Sequence, residues 1–340
     1  MRAISYTQTG DPSVLQLVDR DAVDPGPGEV RVRVVVSGVN PTDWKTRSGN
    51  GQPMAFAEVV PNQDGAGVVD AVGEGVTGLE LGQRVWLYLA QHQRPTGTAQ
   101  ELTVLPAERV VPLADSASFD LGASLGVPAM TAHRALTVAE DGPRRLHPGA
   151  LTGRVVLVAG GAGAVGHAAI QLARWAGATV VTTVSGPEKA ALAAAAGAHH
   201  VVNYREGGAA AAIRAVAPDG VHLVVEVAPA QNAVLNAAVT ANRAAIAIYA
   251  NNGGDDMTID VRPHMVLNTR FQFVLLYTVG DDALANAVAD VQAAVAAGVL
   301  EVGAAAGLPL HRFPLESTAA AHRAVQDGVT GKVLVDVGAV

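Results

Sequence analysis

Two kinds of hydrophobic pattern divide the chain. Over Glu29–Val36 (EVRVRVVV), charged and apolar residues alternate before the run turns wholly apolar, which predicts a half-buried strand. Around it, Gly and Pro recur at short intervals: Pro25-Gly26-Pro27-Gly28, Gly49 to Gly51, Gly65, Gly67, Gly73, Gly75, Gly78 and Gly82. Short strands between such turns predict a barrel or sandwich. After Pro128 the pattern changes. Arg154–Ala159 (RVVLVA) is continuously apolar, as in a strand buried on both faces. A glycine-rich turn and a helix over Val165–Ala176 follow. Next come a strand at Ala178–Val184, a helix at Pro187–Ala196 and a strand at His200–Asn203. Further strands at Val221–Val227 and Ala244–Tyr249 flank a helix near Asn232–Thr240. This alternation predicts βαβ units on a parallel sheet.

Arg270–Leu276 (RFQFVLL) reads as an apolar strand near the end of that unit. Left at a sheet edge it would invite pairing with a second copy, and a two-fold dimer closes such an edge symmetrically. A long helix over Asp282–Ala297 and a final strand over Lys332–Val337 predict that the C-terminus folds back onto the first domain. The expected organisation is therefore α/β. A β-rich domain comes from residues 1–122 and 281–340, and a doubly wound domain with a parallel sheet comes from residues 123–280.

Composition narrows the chemistry. Of 340 residues, 49% are hydrophobic and 16% charged, enough for large buried cores and too apolar for disorder. The net charge is −8 and no window gathers Lys and Arg into a basic stripe, which argues against nucleic acid as the main ligand. Cysteine is absent, excluding disulfides, thiolate catalysis and sulfur-ligated zinc. The ten histidines show no H-x₃-H or HExxH spacing, so no metal ligand set is predicted. No apolar run approaches the roughly 18–20 residues of a membrane span, and the N-terminus lacks an apolar leader. The expectation is a soluble, cytoplasmic protein.

Gly161-Ala162-Gly163-Ala164-Val165-Gly166 is a GxGxxG between a buried strand and a helix, the context in which that motif binds a dinucleotide. Gly161 is expected to permit the tight turn, Gly163 to let backbone approach a pyrophosphate, and Gly166 to allow close helix–strand packing. The helix N-terminus would offer free N–H groups to the anion. The second strand bears on cofactor choice. An NAD site usually places an acid near its end, yet Thr182-Thr183-Val184-Ser185-Gly186-Pro187 has none until Glu188. Ser185 can donate to a 2′-phosphate and Lys189 can meet it as a point charge, so the expected cofactor is NADPH. Tyr204 and Arg205 follow the third strand, where they could stack on adenine or add charge.

The chain resembles the zinc-free medium-chain dehydrogenases/reductases, and most closely the zeta-crystallin-like NADPH:quinone oxidoreductases. The resemblance runs nearly end to end. It rests on MRAI with GDPSVLQL, Gly38-Val39-Asn40-Pro41-Thr42-Asp43, Asp64-Gly65-Ala66-Gly67-Val68-Val69, Thr131-Ala132-His133-Arg134-Ala135-Leu136, AGGAGAVG, Gly197-Ala198 with Val202–Arg205, and Gly331-Lys332-Val333-Leu334. It implies a GroES-like substrate domain beside a Rossmann domain, usually in a homodimer. Zinc-dependent members carry Cys within the segment matching Val39-Asn40-Pro41 and a His-Glu pair where Asn62-Gln63-Asp64 stands.

The resemblance also implies that a loop matching Asn40 to Gly49 lines the substrate site beside the nicotinamide. Asn40 would bond cofactor or substrate, and Asp43 would orient the loop. Lys45 stands where many quinone reductases have Tyr. Asn40-Pro41-Thr42-Asp43-Trp44-Lys45 instead fits relatives that reduce α,β-unsaturated carbonyls. Thr131 matches a position near the carboxamide, and Tyr249, Asn251 and Tyr277 match segments closing over the ring. The implied activity is hydride transfer from NADPH to a quinone or enone, with Lys45 or a backbone N–H stabilising charge on the carbonyl oxygen. An enoyl-thioester reductase would be expected to show a basic entrance, and none is visible. A non-catalytic NADPH-binding protein of crystallin or RNA-binding type is disfavoured by the acidic charge.

Overall fold

The computed structural model describes residues 1–49 and 53–339, so Gly51, one of the turn glycines above, lies outside the described residues. The chain divides into two units: Met1–Val127 with Leu310–Val340, and Pro128–Pro309.

In the first unit, β1 (Arg2–Ser5) pairs antiparallel with β2 (Gln16–Asp19). The predicted alternating strand is β3 (Glu29–Val39), longer than the pattern indicated; its even-numbered valines from Val30 to Val36 are buried. Residues Asn40 to Gly49, expected as a loop, instead form α1 (Pro41–Ser48). The helix begins with Pro at its first position, where the missing N–H costs nothing, and ends at Gly49 with φ 88°. It carries no apolar period, so the sequence pattern did not reveal it. Then follow β4 (Asp64–Val72), β5 (Arg84–Leu87), β6 (Leu102–Pro106), β7 (Val110–Pro112), α2 (Phe119–Gly122) and α3 (Gly126–Leu136).

The second unit continues with β8 (Val155–Ala159), α4 (Ala164–Trp175), β9 (Thr179–Val184), α5 (Pro187–Ala195), β10 (His200–Asn203), α6 (Ala209–Val216), β11 (Val221–Glu226) and α7 (Pro229–Val239). After these come β12 (Thr240–Ile248), α8 (Val261–Leu267), β13 (Arg270–Phe273) and α9 (Asp281–Ala296). The six strands form one parallel sheet in the order β10-β9-β8-β11-β12-β13. This is the doubly wound arrangement whose order reverses between β8 and β11. β13 is shorter than the predicted strand and stands at the sheet edge, with Phe273 68% exposed.

The chain re-enters the first unit through β14 (Leu310–Pro314), α10 (Thr318–Gln326) and β15 (Lys332–Asp336). A seven-stranded sheet runs β14-β15-β3-β4-β5-β7, with β6 added to β3. β3 pairs with β4 along most of its length, with β6 at Glu29–Arg33 and with β15 at Val36–Val39.

Two boundaries differ from expectation. Residues 281–309 were assigned to the first domain, but α9 places a buried Asp290 against His133, Arg145 and the Leu146 amide. Ala306 O meets His167 Nε2 at 2.8 Å, holding the following turn to α4. Residues 123–127 belong with the first unit, where Val127 N donates to Asp64 Oδ1 at 2.8 Å. Among the described residues, no helix is long and apolar enough to cross a membrane.

Candidate active site

All the residues expected to hold cofactor fall in the second unit, and all three expected catalytic residues fall in the first. In the second unit the glycine-rich loop joins β8 to α4 at the carboxyl end of the sheet. The tight turn is made by Gly160, at φ 70°, and not by Gly161. Gly161 is required for a different reason: a Cβ there would overlap the Thr182 hydroxyl and lie 2.8 Å from Ile170 Cδ1. Gly166 packs against the loop itself, since its Cβ would overlap Gly160 O and approach Gly161 Cα to 2.9 Å.

Gly163 differs from both. It is exposed, its φ is −83°, and the nearest atom to its Cβ would be Gly160 O at 3.5 Å. It is the N-cap of α4 and supplies no side-chain cap, leaving the first amides of the helix open to an anion. No described residue requires glycine there; close approach of a ligand would. Ala162 is buried, while Ala164 and Val165 are half-buried in the first turn.

Ser185 follows β9 directly and Lys189 lies in the first turn of α5, both half-buried. The first acid, Glu188, is exposed on that helix. Asn203 is the register partner of Val184, so Tyr204 leaves β10 beside the end of β9, the residue being 47% exposed. Tyr249 N donates to Glu226 O as the chain leaves β12, and Asn251 binds Asp255. Burial, then the Glu226 charge, raises the Tyr249 phenol well above its ordinary value. Tyr277 is half-buried in a short turn after β13, and Thr131 is buried in α3. A separate cavity of 1010 Å³, lined by residues such as His133, Thr137, Glu140 and Asp281, includes none of these positions.

In the first unit the expected trio separates. Asn40 and Asp43 are buried in a charged cluster that also contains Asp64 and Lys332. Asp43 accepts from Asn40 N at 2.7 Å and from Gln63 N at 3.1 Å, fixing the entry to α1. Asn40 Nδ2 donates to Asp64 Oδ2 at 2.7 Å, and its Oδ1 accepts from Lys332 Nζ at 2.7 Å. Lys332 Nζ also lies 3.7 Å from Asp64 Oδ2. Gly126 must be glycine because a Cβ would overlap this Asp64 carboxylate.

Burial and the Asp64 charge push the Asp43 carboxyl up to about 8. Burial also raises Asp64 and lowers Lys332, opposed in both by their mutual attraction. Two carboxylates and one ammonium, fully ionised, would leave an uncompensated negative charge in a dry interior, so the cluster favours one additional proton. Asp64 and Lys332 were not singled out as site residues in the sequence, where they signalled only family likeness. In the segments where the resemblance puts the metal ligands of zinc-dependent relatives, this chain has Val39-Asn40-Pro41 and Asn62-Gln63-Asp64. Among the described residues, no group of three or more His, Asp or Glu is arranged to hold a metal.

Lys45 points elsewhere. It is half-buried on α1 and lines a cavity of 380 Å³ with Tyr6, Thr42, Met54, Phe56 and Gln91. Tyr6, which the sequence reading passed over, is a buried aromatic on the wall of this cavity.

Comparison with known proteins agrees with this division. Residues 26–115 match the alcohol dehydrogenase GroES-like domain, and residues 164–293 match the zinc-binding dehydrogenase domain. A quinone oxidoreductase of Lama guanicoe is 30% identical over 340 residues, spanning 98% of this chain and 97% of that protein. A 2-haloacrylate reductase of a Burkholderia species is 36% identical over 184 residues, 53% of this chain and 52% of that protein. A mycobacterial protein solved in complex with NADPH is 28% identical with a TM-score of 0.81, covering 98% of this chain and 99% of that one. Near-complete coverage by the quinone oxidoreductase, together with both domain matches in order, means that the chain belongs to the zeta-crystallin-like quinone oxidoreductase family of the medium-chain dehydrogenases/reductases.

Proposed function

We propose that this chain is an NADPH-dependent oxidoreductase that reduces a quinone or an α,β-unsaturated carbonyl compound without a metal, working in the cytoplasm as a homodimer. The observation that carries the reading is Gly163: an exposed glycine at an uncapped helix N-terminus, where a Cβ would make only an ordinary 3.5 Å contact with Gly160 O. That cradle fits a pyrophosphate, whose charge is favoured by the free amides and the helix dipole. Cofactor choice rests on the end of β9, where Ser185 and Lys189 stand and no acid occupies the ribose position. The mycobacterial relative solved with NADPH supports the same choice.

NADPH, when bound, supplies the hydride. The chain's own part is to position the acceptor and to meet the negative charge that develops on its carbonyl oxygen. Lys45, on the wall of the 380 Å³ cavity, is the cationic donor in this reading. Asn40 and Asp43 act behind it by holding the start of α1 in place. The relatives named for quinone and 2-haloacrylate reduction support conjugated acceptors as the substrate class. The apolar edge at β13 supports the dimer.

The test is oxidation of NADPH and of NADH by the purified chain across a panel of quinones and enones. Turnover with NADPH in clear preference to NADH is expected. Absence of turnover with every acceptor, or a preference for NADH, would overturn the reading.

A further inference from the structure

Tyr6 occupies a position that structural duty alone does not explain. Its backbone is fixed by two hydrogen bonds with Val59, N to O at 3.0 Å and O to N at 2.9 Å. Its ring packs in the core of the first unit with Ile4, Val59 and Val60, and the residue is only 3% exposed. Yet the phenol hydroxyl makes no hydrogen bond to any described residue. A buried tyrosine normally finds a partner for its O–H, because leaving the group unpaired costs free energy. Phenylalanine would fill the same core volume, and since Tyr6 lines a cavity that water can enter, the hydroxyl is left to face that cavity. Tyr6 lies on the wall of the 380 Å³ cavity, which it shares with Lys45, Thr42 and Gln91, while Met54 and Phe56 give it an apolar side.

We propose that the Tyr6 hydroxyl is a catalytic hydrogen-bond donor, aimed into this cavity to bind the carbonyl oxygen of the conjugated acceptor. The inference rests on the reading of the chain as a carbonyl-directed reductase and adds a residue to it. As hydride reaches the β-carbon, the C=C electron pair moves toward the carbonyl and negative charge gathers on oxygen. Tyr6 holds that oxygen by a hydrogen bond and keeps its own proton; the proton that completes the saturated product comes from solvent. Burial, then the Asp43 charge, pushes the phenol up to about 12, with the Arg47 guanidinium pulling the other way. The hydroxyl therefore remains a neutral donor at any ordinary working pH. Lys45 and Tyr6 together give the cavity one charged and one neutral donor, the pairing that suits an oxygen passing from carbonyl to enolate.

The variant is Tyr6→Phe, which keeps the ring and removes only the hydroxyl. Because that hydroxyl bonds no described residue, the melting temperature should stay within about 1 °C of wild type. With an enone, kcat should fall about tenfold or more, toward the range of one lost oxyanion donor. A readout independent of turnover is the absorption of 4-dimethylaminocinnamaldehyde bound with NADP⁺. Its band moves to longer wavelength when the aldehyde oxygen accepts a hydrogen bond, and the Phe variant should lose part of that shift. Unchanged kcat, or an unchanged band in the variant, would overturn the proposal. If wild type turns over no acceptor, the functional reading fails by itself, and the bound-probe spectrum still decides whether Tyr6 donates to a carbonyl.

Discussion

Gly161 and Gly163 of one loop answer to different demands, and exchanging them one at a time separates folding from cofactor binding. In Gly161→Ala the new methyl would overlap the hydroxyl of Thr182 and press on Ile170 Cδ1 at 2.8 Å. Thr182 cannot easily yield: it is fully buried in β9, and its hydroxyl donates to Val158 O at 2.7 Å. Overpacking of this kind costs about 1–3 kcal/mol. Displacing the hydroxyl from its acceptor adds about 1–2 kcal/mol. At roughly 2–4 °C per kcal/mol for a unit of this size, the melting temperature should fall by roughly 10 °C. Gly163→Ala meets nothing closer than 3.5 Å at an ordinary φ, so it should melt within about 2 °C of wild type. If the loop cradles a pyrophosphate, that methyl still stands in the ligand's path. Losing one charge-assisted bond, about 1.5–3 kcal/mol, corresponds to a roughly ten- to hundredfold weaker Kd for NADPH. Scanning calorimetry and NADPH titration by fluorescence read the two effects separately. The double variant Gly161→Ala/Thr182→Ala should be more stable than the sum of its singles by at least about 1 kcal/mol, because the clash partner is gone. Additive singles would refute the steric assignment, and a Gly163→Ala protein with full NADPH affinity would refute the cradle.

Other consequences can be checked as directly. Lys189→Glu should weaken NADPH roughly ten- to a hundredfold while leaving NADH nearly unchanged, and an unaltered ratio of the two affinities would remove Lys189 from the phosphate site. Lys45→Met should lower kcat on an enone by up to about 10²–10³ and on a quinone by less, since the reduced quinone is already stabilised by aromaticity; equal retention of both activities would make Lys45 a bystander. His322 is buried, with Nε2 2.9 Å from Asn62 Oδ1, and burial pushes its pKa from 6.5 down to about 3. A pKa depressed by folding means the stability is whole above 6.5 and is lost as pH falls toward 3, by about 1.4 kcal/mol per pH unit. The stability gap between wild type and His322→Gln should therefore narrow on acidification in denaturant titrations, and a gap constant with pH would contradict this. Sedimentation at micromolar concentration should give a dimer of the 34.5 kDa chain, and Phe273→Glu at the β13 edge should dissociate it.

The sequence by itself determined the alternation of strand and helix after Pro128, the buried β8 and the loop that follows it. Each is recorded in residues close together, as an apolar run or as glycines that a turn and a ligand demand. The missing acid after β9 is equally local, so the cofactor preference is legible in the sequence. Even there the roles moved: the turn falls at Gly160 and Gly161 answers to Thr182, because a glycine pattern marks where side chains are excluded without naming what excludes them. Helix α1 escaped notice because a short polar helix has no apolar period, and its signals were the Pro41 start and the Gly49 stop. Only the tertiary structure could bring Lys332 to Asn40 across 292 positions, return the chain to the first unit at Leu310, or set Tyr6 on the wall of the same cavity as Lys45. Such meetings depend on strand pairing and side-chain packing between distant segments, and hydrophobic periodicity is the same whether or not they occur.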